Sequence, residues 1–401
     1  MKRLFRPAVG SNLRRRRLLV LIAPACVIAT ALGSVSPALA RPVSSAVQAR
    51  PSAAAQARPT RSALPVSTTR SLRSLNQERR PAGSSQTRWV VRDPVAYRQA
   101  EKTGNWVTTP EGLSYKTCVY SVPSHGVLRK NEIISPNGAI RKITPCQHPT
   151  ITSASATPSA SAGSAGQARP GTTAPSSAAH GTILPAGACS FGPGGSYWAA
   201  SCYGSSPSWV TSFDQKYAVP SNPAQTGALI FLWGGIENAN GSTLLQDVLT
   251  WGANGGIVTQ PNIWYVNNWY LWPSNNSVHS ASMHVNPNDT IVADLTASNC
   301  TTDGHCTWVL TSTDTVSGSA TSMTIGSGVG FDLLIGSDME VPRAQGCIET
   351  PASGHAAFRN LTVTGNTGTI TPTFGVSFPD PQCSITMNQT SSASDILWKT
   401  S

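Results

Sequence analysis

From residue 182 to 401 no window sustains an apolar repeat at helical spacing, and this limits the fold more than any other feature. Short apolar or alternating runs recur instead, at 228–233, 244–249, 263–272, 282–285, 290–295, 307–312, 322–325, 330–335, 357–363 and 369–378. Gly, Asn, Asp, Ser and Pro fill the gaps between them, Thr and Ser are abundant, and Lys is scarce. Asn286, Pro287, Asn288 and Asp289 make a tight turn between two strands: proline presets φ, and Asn and Asp side chains bond their own backbone. The pattern predicts an all-β sandwich of two antiparallel sheets.

Within that pattern the chain is organised around residues 264–272. Trp264, Trp269, Trp272, Tyr265 and Tyr270 crowd into this run, although aromatics are only 7% of the chain. A two-residue period puts Ile263, Tyr265, Asn267, Trp269 and Leu271 on one face and Trp264, Val266, Asn268, Tyr270 and Trp272 on the other. Both faces are bulky, so the run reads as a central strand packed on each side. Its rings are either plain core or the wall of a ligand groove.

The chain opens with a targeting segment, 1–40. Arg14, Arg15, Arg16 and Arg17 precede an apolar stretch, and Ala38, Leu39 and Ala40 fit a small-residue cleavage site. Export is expected, by the general or the twin-arginine route, and this segment is the sole membrane contact foreseen. After its removal eight cysteines remain: Cys118, Cys146, Cys189, Cys202, Cys300, Cys306, Cys347 and Cys383. An even number in an exported chain points to disulfides, and pairing of neighbours is the simplest scheme. No CxxC is present, and neither a metal nor a cofactor is expected.

Composition and charge divide the mature chain. Residues 41–86 are Ala, Ser, Pro, Arg and Gln, too poor in apolar side chains to fold. Residues 152–181 form a Ser/Ala/Gly linker. Between them, 87–151 is a small segment expected to carry a few strands and a Cys118–Cys146 staple. Residues 1–181 hold 25 Lys and Arg against 5 Asp and Glu, a balance of +20; residues 182–401 hold 4 against 13, a balance of −9. The basic half is thus the arm, and the folded half is acidic. Nucleic acid is not an expected partner, since the body's own field repels phosphate. The arm is either a pro-segment held by opposite charge or a tether to anionic surface polymers. At acid pH the body keeps only 4 Lys and Arg and 4 His as charges, so its self-repulsion stays mild.

Candidate chemistry is sparse. His279, His284, His305 and His355 read as structural or surface groups, and no GxSxG elbow supports a serine triad. Glu237, Asp247, Asp294, Asp332, Asp338, Glu340 and Glu349 are available as paired carboxylates, but no spacing singles out a pair. Two residues stand out as polar within apolar runs: Gln246 interrupts Leu244, Leu245, Val248 and Leu249, and Glu340 closes the run from Phe331. A partly buried glutamate is a competent general base and acid, and a neutral amide stabilises an oxyanion without changing state. Structural hydrogen bonding is the bland alternative for both.

The order of four blocks resembles the eqolisins, the glutamic peptidases. Trp233, Gly234, Gly235, Ile236 and Glu237, then Leu244, Leu245 and Gln246, look like the segment that carries the family's glutamine. The run Trp269, Tyr270, Leu271, Trp272, Pro273 looks like its aromatic strand; Val285 to Ile291 is similar to the turn that follows. Met339 and Glu340 fall where the family keeps its glutamate, and 358–363 resembles the closing strand. The resemblance implies a concanavalin-like sandwich and a secreted acid endopeptidase acting on polypeptides without metal or cofactor. It also implies a basic pro-segment. By it Glu340 is the general base and Gln246 holds the water and the tetrahedral intermediate. Trp233, Trp264, Trp269, Tyr270 and Trp272 become candidate substrate contacts.

The chain also departs from the family. Val341, Pro342 and Arg343 follow the glutamate, Asp247 and Val248 follow the glutamine, and the 87–151 segment has no counterpart, which suits a diverged bacterial-type member. The alternative of another class is a non-catalytic, lectin-like wall-binding sandwich, which explains the aromatic run but not a facing Gln246 and Glu340. No partner subunit is called for, and a monomer is expected.

Overall fold

The computed structural model describes residues 90–110, 112–152, 189–190, 198–271, 273–342, 346–374 and 383–401. The export segment, the basic arm, most of the Ser/Ala/Gly linker and Trp272 lie outside them. The N-terminal part contains β1 (Val90–Arg92), α1 (Pro94–Glu101), β2 (Trp106–Thr109), β3 (Gly112–Tyr115), β4 (Val119–Val122), β5 (Gly126–Arg129), β6 (Glu132–Ile134), β7 (Ile140–Lys142) and β8 (Thr150–Thr152). The body begins with β9 (Cys189–Ser190), β10 (Trp198–Ser205), β11 (Val210–Ala218), β12 (Ile230–Glu237), β13 (Leu244–Trp251), β14 (Trp264–Leu271), β15 (Ser277–Ser280) and β16 (Met283–Val285). It continues with β17 (Thr290–Ser298), β18 (Thr307–Asp314), β19 (Ala320–Gly326), β20 (Leu333–Glu340), β21 (His355–Gly365), β22 (Gly368–Ile370), β23 (Thr386–Gln389) and β24 (Ser394–Leu397).

The fold is an all-β sandwich. A front sheet runs β4-β15-β14-β13-β12-β20-β10-β9, with β16 on β14. A back sheet runs β23-β24-β21-β11-β17-β18-β19-β5-β6-β7, with β22 on β21. A third, four-stranded sheet, β1-β8-β3-β2, belongs to the N-terminal part. Leu232, Leu249, Trp251, Trp264 and Val266 of the front sheet meet Tyr217, Ile291, Ala293 and Phe358 of the back sheet in the main core. Strand alternation turns the other set of side chains outward, and there Phe231, Trp233, Leu244, Val248, Trp269, Leu271 and Ile335 form a second buried cluster. The front strands are therefore buried on both faces, which is why 244–251 and 264–271 read as near-continuous apolar runs.

The segment 87–151 divides between two roles. β4 pairs in parallel with β15 at the edge of the front sheet, and β5 pairs in parallel with β19 at the edge of the back sheet. The rest builds the third sheet and α1, whose Asp93 cap accepts hydrogen bonds from the Val95 and Ala96 amides at 2.8 and 3.0 Å. One face of this sheet packs Trp106, Leu113 and Ile151 under α1. The other face carries Val107, Thr109, Ser114, Thr150 and Thr152, all buried, and Ser114 and Val107 reach the front sheet and its loops. There Ser114 Oγ lies 2.9 Å from Ser277 Oγ, and the Thr108 carbonyl accepts from Asn254 Nδ2. Val107 fills the space beside Gly256, where a Cβ would stand 2.5 Å from Val107 Cγ2.

Disulfides join Cys118 to Cys146, Cys300 to Cys306 and Cys347 to Cys383. Cys202 is also disulfide-bonded, and Cys189 stands opposite it in register. No helix among the described residues is long and apolar enough to cross a membrane.

Candidate active site

The strand register fixes which side chains share the outer face of the front sheet. Across β15, β14, β13, β12 and β20, one row reads His279, Trp269, Gln246, Gly235, Ile335. The next row on that face reads Asn267, Val248, Trp233, Asp338, and the one beyond it Tyr265, Thr250, Phe231, Glu340. Gln246, Asp338 and Glu340 therefore lie on one face, the face under the third sheet, and all three are fully buried. A bulge in β20 between Ile335 and Asp338, opposite the step from Gly235 to Trp233, sets this alignment.

Of the sequence candidates, Gln246, Glu340, Trp233 and Trp269 come together on this face. Trp264 and Tyr270 do not. Trp264 packs on Trp251 with ring centroids 5.3 Å apart in the main core, and Tyr270 is buried in the core on the back-sheet side. They are corrections to the groove-lining expectation: the strand's period turns them away from Trp269, and their rings are core. Trp272 lies outside the described residues.

Gln246 is one of two buried glutamines, with Gln215, whose amides lack a hydrogen-bond partner among the described residues. Among the described residues no group hydrogen-bonds to Gln246 Nε2 or Oε1, although both atoms are buried, and the neighbouring Trp269 Nε1 is in the same position. An amide hidden from water without partners costs about 1–3 kcal/mol per group; the Gln215 amide and the Trp251, Trp264 and Trp308 indoles stand likewise, and what distinguishes Gln246 is its place on one face with Asp338 and Glu340. Gly235 lets the backbone of β13 approach closely beside Gln246. A Cβ there would sit 3.0 Å from Gln246 Cβ and 2.2 Å from the Leu245 carbonyl oxygen, and glycine inside a strand often marks such a close approach. Glu340 is held by Trp233, whose Nε1–H donates to its Oε1 at 3.2 Å.

The register also separates the two residues singled out from sequence. Gln246 and Glu340 stand two strands and four residues apart, about 17 Å between Cα atoms at ordinary strand spacings. Asp338, one row nearer, is about 12 Å away by the same measure. Asp338 is one of the seven carboxylates the sequence offers, and its place opposite Trp233 follows from the β20 bulge, which the primary structure does not reveal.

His279 closes the row. Its ring lies 4.9 Å from Trp269, and its Nδ1 is 2.7 Å from the Ser280 carbonyl. Burial pushes its pKa down to about 4, the nearby Arg141 charge adds to this, and the Ser280 bond opposes it. On the opposite, core-facing side of β13, Asp247 accepts hydrogen bonds from the Tyr217 and Ser312 hydroxyls. Burial raises its carboxyl to about 6 in spite of those donors, with the Asp294 charge adding to the rise. His355 pairs with Asp395 and His305 with Asp303, and neither ring meets a serine hydroxyl. Among the described residues no group of three His, Cys, Asp or Glu side chains is arranged to hold a metal ion.

No protein-family model matches the chain, and neither does any curated protein. Solved structures do. Scytalido-glutamic peptidase with a peptide-based transition-state analog is 14% identical over 51% of this chain and 98% of its own, at a TM-score of 0.37. SCP-B, a member of the eqolisin family of peptidases, is 15% identical over 51% and 98%, at 0.36. Aspergilloglutamic peptidase from Aspergillus niger is 16% identical over 43% and 99%, at 0.30. The likeness is a distant one of fold.

Proposed function

We propose that the chain is a secreted peptidase that cleaves peptide bonds at acid pH, with water activated by a buried carboxylate and held by Gln246. The observation that carries this reading is the buried, unpartnered Gln246 amide on the same face as Asp338 and Glu340. A neutral amide aimed at a developing oxyanion stays competent in acid, and a carboxylate serves as base when ionised and as acid once protonated. The eqolisin-like order of the four sequence blocks agrees with it. A sugar-binding surface is less well supported, because Trp233 and Trp269 are buried and present no open ring to stack on.

The N-terminal part fits the role of a pro-segment. Its third sheet meets the site face through Ser114, whose Oγ lies 2.9 Å from Ser277 Oγ, and through Val107 beside Gly256. β4 and β5 stay anchored by backbone pairing while that sheet lifts.

The test is digestion of a denatured protein at about pH 3–4, where such a carboxylate pair works as acid and base. The full chain should cleave after acid incubation, with new N-termini appearing between 153 and 188. Gln246→Ala should lower kcat by about 10²–10³. No cleavage by the unaltered chain, or equal cleavage by both proteins, removes the peptidase reading.

A further inference from the structure

We propose that the outer face of β5, β6 and β7 binds a phosphodiester polymer, held by Arg129, Lys130 and Lys142. These strands extend the back sheet, apart from the front-sheet face that carries Gln246, and the assignment does not depend on the peptidase reading.

Strand register builds the site. Arg129, Glu132 and Lys142 stand opposite one another across the three strands, and Val127, Ile134 and Ile140 form the next row on that face. Leu128 and Ile133 alternate to the other side and are buried in the core, so both rows face outward. A cleft of about 680 Å³ opens here, with Arg129, Lys130 and Lys142 in its lining beside Ile134 and Ile143. That volume is within the range of ligand pockets. Residues 126–143 hold four Lys and Arg against one Glu, a balance of +3. Arg141 is engaged elsewhere: its Nη2 donates to the Ser121 carbonyl at 2.5 Å, and its guanidinium lies over the Tyr120 ring. Ion pairs among the described residues join His305, His355 and Arg359 to aspartates, and none engages the three cations of the cleft. Charges are screened beyond about 8 Å at physiological salt. The cleft therefore acts by its own balance and not by the −9 of the body.

Edge protection explains only part of this. β7 ends the back sheet, and a lysine there discourages pairing with another chain. Arg129 is two strands inside that edge, and Lys130 sits in the two-residue turn between β5 and β6. There Lys130 takes φ +55, a conformation that hairpin turns usually give to Gly, Asn or Asp. The next hairpin follows that rule, with Gly138 at φ +82. A lysine kept at such a position, beside two further cations, is there for its ammonium and not for the turn.

Glu132 sets the ligand class. It repels one compact multivalent anion, yet it leaves a cation on either side, about 10 Å apart. That spacing suits anionic groups carried at intervals on a chain. Phosphodiesters stay ionised from neutral pH down through the carboxylate range, and their oxygens match a guanidinium and two ammonium groups. The apolar row of Val127, Ile134 and Ile140 packs on the linking groups, and Ile140 is 62% exposed to receive them.

Lysine footprinting tests this on the full chain, because residues 41–86 carry arginine but no lysine and the readout is blind to the arm. Amine acylation is followed by mass spectrometry with and without poly(glycerol phosphate). Lys130 and Lys142 should be protected, while Lys102, Lys116, Lys216 and Lys399 should label at unchanged rates. Arg129→Ala should raise the polymer concentration that half-protects Lys142 about tenfold, and Arg98→Ala, the same charge lost on α1, should leave it unchanged. Lys130→Gly should weaken protection of Lys142 by a similar factor while raising Tm, since glycine relieves the turn. Weaker binding by a more stable protein is not a folding defect. Undiminished labelling of Lys130 and Lys142 at saturating polymer overturns the assignment. So does equal protection of every lysine, or protection by a polyuronate and not by the phosphate polymer.

Discussion

Two buried titratable residues, Asp247 on β13 and His279 on β15 with β14 between them, oppose each other in acid. Asp247 has a folded pKa of about 6 against an ordinary carboxylate value of 3.8, so the folded state binds its proton more tightly than the unfolded chain does. Its charged form costs about 3 kcal/mol above pH 6, and that penalty fades as pH falls from about 6 toward 3.8. His279 runs the other way. With a folded value of about 4 against 6.5, it favours the fold above pH 6.5 and withdraws about 3 kcal/mol as pH drops to about 4. The two nearly cancel, so the unaltered chain should keep a flat Tm between pH 7 and 4. Asp247→Asn should melt at a falling Tm over that interval, and His279→Asn at a rising one. Parallel profiles for the two variants would show that these groups do not govern the pH response. Legibility in the sequence differs sharply at this scale. Gln246 was readable, because an amide among Leu244, Leu245, Val248 and Leu249 breaks the apolar pattern. Asp247 beside it was not, since its burial depends on Tyr217 and Ser312 arriving from two other strands.

At the level of the strand, period two gave the faces of 264–271 correctly, and what it withheld was which face meets which partner. Trp269 and Trp264 are equally bulky, so composition does not tell a site wall from core; only the position of the back sheet does. The alignment of β20 with β12 was similarly hidden, because a bulge shifts register without leaving a mark in hydrophobicity. Short-range features were easier to read. The turn at Asn286–Asp289 is closed as expected: Asp289 Oδ2 accepts from the Asn286 amide at 2.7 Å, and Asn288 takes positive φ. The Cys118–Cys146 bond closes a separation of 28 residues, tying the 3₁₀ turn just before β4 to the loop between β7 and β8. Replacing both cysteines by serine should cost about 3–4 kcal/mol by the loop-entropy relation. Denaturant unfolding of the double variant should show the midpoint falling, with the loss concentrated in the N-terminal part. An unchanged midpoint would mean that β4 and β5 pairing alone holds this segment.

Across the whole molecule, the sequence splits into a basic arm and an acidic body, yet the structural boundary does not follow the charge boundary. β4 extends the front sheet and β5, β6 and β7 extend the back sheet, so residues assigned by composition to a separate small segment complete both layers. Composition had no access to this, because strand addition is made by backbone groups that every sequence possesses. The consequence is testable. A chain beginning at residue 182 would leave the edges of β15 and β19 unpaired and uncover the outer apolar cluster of Trp269, Leu271 and Leu244. Unpaired edges beside exposed apolar surface favour intermolecular pairing. Expressed alone, this body should bind a hydrophobic dye strongly and elute as oligomers. The full chain nicked within 153–188 should instead stay monomeric, with its N-terminal fragment retained until denaturant releases it. A truncated body that is monomeric, with an undiminished Tm, would show that the two sheets are self-sufficient. The N-terminal part would then be a removable lid and not a structural share of the sandwich.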